Sequence, residues 1–403
     1  MKIFHYLFFL IILYVYINNP IFIEGFGACK FLYPLAFIFF IFNNDFLLKF
    51  KLYKSDILIY VILILYVCLR VIIGADFSGL RAIIVAFIEN IIIALFIVCY
   101  YFKYLKDFDF SKILIVLGVV GSFISVAMFF NEDIYRYFNS IQKNSVDFND
   151  LVFRSYGLAE GLTYSYAISQ AIIFTIMLNE IYKYKYFLFL FPLLIFSVII
   201  NARTGIIVLF IGLFFWLYTK KKFSIIIFLL MIYVILYSFL SFIDIASVNE
   251  VTYIWIMDFF YNMSDIFFGT NYLEYSTTST LLDMAKVIPD NISELLVGKG
   301  ISMFGVIGGS DIGYNRIINY GGIIYLLLLI LVIINMYYKM KKINIKSKYL
   351  MFFLVVILFS NIKGAFLPNS SGLRLIFLIY IFVTENYYYL NDERKKYLLF
   401  NSN

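Results

Sequence analysis

Apolar runs separated by short polar breaks repeat along the whole chain, and nearly every break carries a lysine or an arginine. A helix needs roughly 20 apolar residues to cross a bilayer, fewer where the bilayer thins. On that measure the pattern predicts twelve spans, at about 3–17, 31–43, 56–74, 80–102, 112–130, 161–180, 186–201, 204–219, 223–243, 317–338, 348–362 and 373–390. Two breaks are long, about 131–160 and 244–316. No repeat, low-complexity tract or soluble domain interrupts the pattern, so residues 1–403 read as one all-α, polytopic membrane domain. The run Ile3–Ile17 is followed by Asn18-Asn19-Pro20 and by no small-residue cleavage site. It is expected to remain as the first span.

Charge orients the spans. With the N-terminus inside, alternate breaks hold Lys49, Lys51 and Lys54; Lys103, Lys106 and Lys112; Lys183 and Lys185; Lys220, Lys221 and Lys222; Lys339, Lys341, Lys342, Lys346 and Lys348; and Arg394, Lys395 and Lys396. The positive-inside rule then places both termini in the cytoplasm. The arginines run the other way. Arg70, Arg81, Arg136, Arg154, Arg203, Arg316 and Arg374 all fall on the opposite side, where topology bias gives no reason for them. A guanidinium grips phosphate or carboxylate through paired hydrogen bonds, so an anionic, lipid-carried substrate is expected outside the cytoplasm.

Composition agrees with the pattern. The chain is 64% apolar and 14% charged, with mean hydropathy +0.93, far from the balance of soluble domains. Its net charge of +7 reflects cytoplasmic lysines facing an anionic leaflet and is no argument for nucleic acid. Cys29, Cys68 and Cys99 lack metal-ligand spacing, and His5 is the single histidine. Neither a metal nor a cofactor is expected, and histidine general-base chemistry is nearly excluded.

Three segments carry candidate chemistry. Asn201-Ala202-Arg203-Thr204-Gly205 joins two short spans and leaves Arg203 at or just inside the outer interface. A charge at that depth costs about 2.5–3.5 kcal/mol, so it faces a polar cavity or simply snorkels. Arg154-Ser155-Tyr156-Gly157, with Glu160, precedes the sixth span, and Arg154 and Glu160 also suit a plain surface ion pair. Gly298-Lys299-Gly300, continuing through Gly308-Gly309-Ser310-Asp311 to Arg316, lacks the strand and spacing of a nucleotide loop. It fits a re-entrant lip, or a flexible loop whose Asp311 caps the tenth span. Within 244–316, Thr280-x-x-Asp283 and Asn291-x-x-Glu294 read as helix starts. Arg70, Arg81, Lys363 and Arg374 flank short outer turns and read as interface anchors. Span centres are almost free of charge, Glu89 being the main exception.

In order and placement these segments resemble bacterial O-antigen polymerases and, more distantly, O-antigen ligases. The resemblance rests on Arg154-x-x-Gly157 before a span, Ser197-x-x-x-Asn201-Ala202-Arg203-Thr204-Gly205 leading into another, and the run from Leu281 through Pro289, Gly298-x-Gly300 and Phe304 to Ser310-Asp311-x-Gly313. It covers about 150–325 and the layout of spans with a large late periplasmic loop. It implies a glycosyltransferase C-like membrane fold in the bacterial inner membrane. It also implies transfer of a growing glycan from undecaprenyl pyrophosphate onto a lipid-linked repeat unit, without nucleotide sugar or metal, with a flippase and a chain-length regulator as partners. Arg203, Arg154 and Arg316 would hold the pyrophosphate, and Asp311 or Glu160 would take the acceptor proton. A ligase with the same chemistry and a flippase of lipid-linked sugars are the competing expectations. The late loop has no histidine, which weighs against the ligase.

Overall fold

The computed structural model describes residues 2–43, 50–142, 155–160, 164–220, 284, 287–303, 312–343, 347–362, 364–368 and 370–400. Among them there is no strand; a single isolated bridge joins Ile23 and Phe26. The helices are α1 (Lys2–Asn18), α2 (Leu32–Ile41), α3 (Lys54–Ile72), α4 (Ser78–Tyr104), α5 (Phe110–Phe130), α6 (Glu132–Ile141) and α7 (Ser165–Glu180), then α8 (Phe191–Ile199), α9 (Arg203–Lys220), α10 (Ile292–Val297), α11 (Gly313–Lys342), α12 (Ser347–Ser360) and α13 (Ser370–Phe400). The span expected at 223–243 lies outside the described residues, as do Thr280–Asp283 and Lys363. Each other apolar run coincides with a helix.

Four of these helices, α3, α4, α5 and α11, are long and apolar enough to cross a membrane. Two predicted spans open on a 3₁₀ turn rather than on α-helix. A 3₁₀ turn, Ala28–Phe31, precedes the ten residues of α2, and another, Lys185–Leu190, precedes the nine of α8. Pro192 sits in the first turn of α8, where its missing N–H would have no intrahelical partner anyway. Large apolar side chains such as Phe37, Ile72, Phe189 and Phe214 stand exposed. In water such surface would be an association hazard; with the long apolar helices, it is compatible with a membrane protein.

The chain divides into two compact units. The first comprises Met1–Ile17, Phe31–Lys106 and Asp283–Asn403; the second, Asn18–Lys30 and Asp107–Leu282.

In the first unit, α4 contains a π-helical turn, Ile88–Ile93, the kind of insertion that widens a helix and recurs at functional positions. It carries Glu89, buried and paired with Arg374 of α13. Arg374 is thus an interior residue, where the sequence pattern predicts an interface anchor. A second buried carboxylate, Asp56 of α3, accepts from Lys339 Nζ, from Asn335 Nδ2 at 2.6 Å and from Tyr380 Oη at 3.0 Å. That cluster ties α3, α11 and α13 together. The helix α11 is broken at Gly322, whose φ of +71° and ψ of −174° no helix accommodates. The carbonyls released by the break are capped from outside the helix. Asn319 O accepts from Lys299 N at 2.7 Å, Tyr320 O from Gly300 N at 3.1 Å and Gly321 O from Tyr66 Oη at 2.6 Å.

In the second unit, α7 is buried along almost its whole length from Ser165 to Leu178. Glycines on both neighbours let them close on it. A Cβ at Gly205 of α9 would lie 2.6 Å from Ala167 Cβ, one at Gly212 would overlap Thr175, and one at Gly118 of α5 would lie 2.6 Å from Ile173 Cγ2. Close backbone approach through small residues is the usual device where lipid removes the hydrophobic drive for helix pairing. At one end of α5, the side chain of Asp109 caps the helix by accepting from Ser111 N and Lys112 N. At the other, Asn131 caps α6 through Ile134 N, so the interval 131–160 contains a short helix.

Candidate functional site

The second unit holds Arg203, Glu160 and the segment that follows Arg154. In Asn201–Gly205 every residue is buried except Arg203, which reaches partial exposure as the first residue of α9. The buried Asn201 uses both amide hydrogens. One goes to Ser197 O at 2.7 Å, closing the last turn of α8; the other goes to Ser125 Oγ on α5 at 2.9 Å. The Ser125 hydroxyl in turn donates to Ser155 O. Ser125, Ser155 and Asn201 are all buried, so no solvent competes for these bonds. One side chain therefore joins the backbone beside Arg203 to the segment that follows Arg154. Arg154 itself lies outside the described residues.

Residues 155–160 are held along their length. Gln142 Nε2 donates to Gly157 O at 2.9 Å, and Gly157 has φ of +64°, a left-handed conformation that glycine adopts without steric cost. A Cβ there would sit 3.4 Å from Gly121 O, so the segment lies directly against α5. Glu160 ends it, donating its N–H to Asn18 O at 2.8 Å and accepting from Asn19 Nδ2 at 2.9 Å. Deeper in the same unit, Tyr166 Oη and Ser197 Oγ lie 3.2 Å apart. Thus Asn201, two residues before Arg203, and the segment that carries Glu160 belong to one hydrogen-bonded framework within the second unit.

Arg316 sits near the start of α11 in the first unit, half-buried, its N–H donating to Ile312 O at 3.0 Å. Asp311 lies outside the described residues; the capping position of α11 is Ile312, which makes no side-chain cap bond. The described part of the glycine segment before it, Gly298–Gly300, has a different role from a phosphate cradle. The N–H groups of Lys299 and Gly300, which such a loop would offer to a ligand, are bonded to the broken helix α11. Asn291 does start α10 by accepting from Ser293 N at 3.1 Å, and Gly298, with φ of +83°, ends it. Arg70 Nη2 donates to Gly298 O at 2.9 Å, and Arg136 pairs with Glu132 at 2.6 Å on an exposed helix face. Arg70, Arg136 and Arg374 are therefore engaged with the protein itself.

Ser125 and Asn19 belong to this framework, and sequence reading did not single them out. Gly118, Gly121, Ser122 and Ser125 fall at i, i+3, i+4 and i+7 of α5, a small-residue stripe that marks a helix contact face. Asn19 stands in the polar Asn18-Asn19-Pro20 break. No family model, curated protein or solved structure matches this chain.

Proposed function

We propose that this chain is a membrane glycosyltransferase that polymerises undecaprenyl-pyrophosphate-linked oligosaccharide repeat units into O-antigen or capsular polysaccharide. On this reading twelve spans set a glycosyltransferase C-like fold in the bacterial inner membrane. Both termini are cytoplasmic, and the intervals 131–160 and 244–316 are periplasmic. An acceptor hydroxyl of one lipid-linked unit attacks the anomeric carbon of the growing chain. The bond from that carbon to the pyrophosphate oxygen breaks, undecaprenyl pyrophosphate leaves, and the hydroxyl proton passes to a carboxylate. Arg203, Arg154 and Arg316 hold the departing diphosphate, whose charge rises in the transition state, and preorganised donors act most strongly on developing charge. Glu160 or Asp311 takes the proton.

The observation that carries this reading is the Ser125 hydroxyl bridging Ser155 and Asn201. It supports treating the Arg154 and Arg203 motifs as parts of one site. The partial exposure of Arg203 among buried neighbours supports a role in gripping a ligand.

The broken helix α11 and the buried Glu89–Arg374 pair favour a second reading, a flippase of lipid-linked sugars, because carriers use interrupted helices and intramembrane charge. Deleting the gene separates the two on a gel of surface glycan. Loss of a polymerase leaves a single repeat unit attached, and loss of a flippase leaves none. A ligase deletion also leaves none, with lipid-linked polymer accumulating. A ladder of normal length after deletion rejects all three.

A further inference from the structure

Asn19 is the only non-glycine residue among those described with a left-handed backbone, at φ of +46°. Asparagine tolerates this conformation better than most residues, and glycine tolerates it best. A buried turn that needed only the conformation would be served by glycine. The amide is what distinguishes Asn19, and it is used at both ends. Oδ1 accepts from Cys29 N at 2.8 Å, closing the turn that runs back through Pro20, and Nδ2 donates to Glu160 Oε2 at 2.9 Å. The first bond serves the turn. The second does nothing for the turn and fixes a carboxylate 141 positions away in the chain. Gly27 lies so close that a Cβ there would come within 2.7 Å of Asn19 Cγ, which holds the amide in one orientation. The neighbouring carbonyl, Asn18 O, takes the Glu160 N–H at 2.8 Å. Two consecutive residues thus grip Glu160 by main chain and side chain together.

We propose that Asn19 is a positioning residue for Glu160, fixing one carboxylate oxygen so that the carboxylate faces the acceptor hydroxyl in a single orientation. The inference rests on the reading of Glu160 as the general base and deepens it. Backbone held in a sparsely populated conformation is kept where surrounding structure has a use for it, and here that use is a charge-assisted hydrogen bond.

The test uses the full chain in lipid nanodiscs, comparing Asn19→Gly, Asn19→Asp and Glu160→Gln with the unaltered protein. Asn19→Gly relaxes the backbone and deletes only the amide; Asn19→Asp keeps the acceptor for Cys29 and removes the donor, so it stands in should the glycine variant fold poorly. Two readouts are taken. Labelling of Glu160 by a water-soluble carbodiimide, followed by peptide mass spectrometry, is expected to rise severalfold in both Asn19 variants. Turnover of a lipid-linked repeat unit is expected to fall in kcat by about tenfold, the scale of a lost hydrogen bond to a charged group, with KM changed less than about twofold. Unchanged labelling overturns the proposal, and so does undiminished kcat in Asn19→Gly or full turnover in Glu160→Gln. If the unaltered protein forms no polymer, the functional reading falls, while the labelling still decides whether Asn19 holds the carboxylate.

Discussion

Arg374 donates from Nε and Nη2 to one oxygen of Glu89, at 2.7 and 2.6 Å, in the interior of the first unit. The other oxygen of Glu89 accepts from Tyr33 Oη at 2.9 Å, and Tyr16 Oη reaches the backbone carbonyls of both residues at 3.1 and 3.2 Å. Four helices, α1, α2, α4 and α13, therefore meet at one ion pair. Both side chains are almost fully buried, so desolvation opposes the Coulomb gain and the pair contributes less than its geometry suggests. Removing one partner strands a charge. Glu89→Leu or Arg374→Met alone is expected to destabilise the protein by about 3–5 kcal/mol. The double variant should recover most of that loss. Thermal unfolding of the purified protein in detergent checks the cycle, and a double variant as unstable as the two singles combined would contradict it.

Arg203 is expected to separate charge from geometry. On the proposed function, Arg203→Ala should reduce polymer formation by about 10²–10³-fold, the effect of losing one preorganised donor to a developing charge, while the protein still inserts. Arg203→Lys should recover little, because an ammonium cannot reproduce the planar two-pronged contact. Lipid-linked substrate turnover, normalised to inserted protein, is the measurement; full activity in Arg203→Lys would remove the bidentate role.

Packing around α7 makes Gly205 and Gly212 sensitive to size. A leucine at Gly212 must displace Thr175, and one at Gly205 must displace Ala167. Each is expected to cost at least about 1–3 kcal/mol from overpacking. The loss should appear as a lower melting temperature and a larger aggregated fraction on size exclusion. Alanine at Gly205 should fall between leucine and the native residue.

The Asp109–Lys183 pair predicts a pH dependence at the end of α5. Burial pushes the Asp109 carboxyl up, but the hydrogen bond and charge of Lys183, together with the Lys112 N–H and Tyr184, hold it below the ordinary carboxylate value. A carboxyl depressed on folding stabilises the native state above its unfolded pKa, and that stability is lost as pH falls through the folded value. Lys183 is shifted the opposite way, upward, chiefly by its hydrogen bond to Asp109. Its contribution is present below the ordinary lysine value and disappears only at strongly alkaline pH. Unfolding midpoints should therefore drop below about pH 4, and Asp109→Asn should flatten that part of the curve.

Helix positions were legible because burial in lipid or core demands long apolar runs, and polar breaks such as Asn18-Asn19-Pro20 and Asp107–Asp109 interrupt them without ambiguity. Arg203 and Gly157 stand out against an apolar background for the same reason. Arg374 was misread because its partner, Glu89, lies 285 positions away, and local sequence does not show what a distant helix brings to a charge. Ser125 and Asn19 were missed because a serine in an apolar helix and an asparagine in a turn are locally unremarkable.

Local chemistry by itself determined that the described residues are helical, roughly where their apolar helices lie, and which side chains carry the charge to grip an anion, since those follow from hydrophobic period and side-chain charge. Only the tertiary structure decided which polar groups meet: Glu89 with Arg374, Asp56 with Lys339, Asn19 with Glu160, and Ser125 with both Ser155 and Asn201. The physical reason is that a polar group buried away from water must find a partner. That partner comes from a distant part of the chain, on another helix or in a connecting segment, at a separation no local pattern encodes.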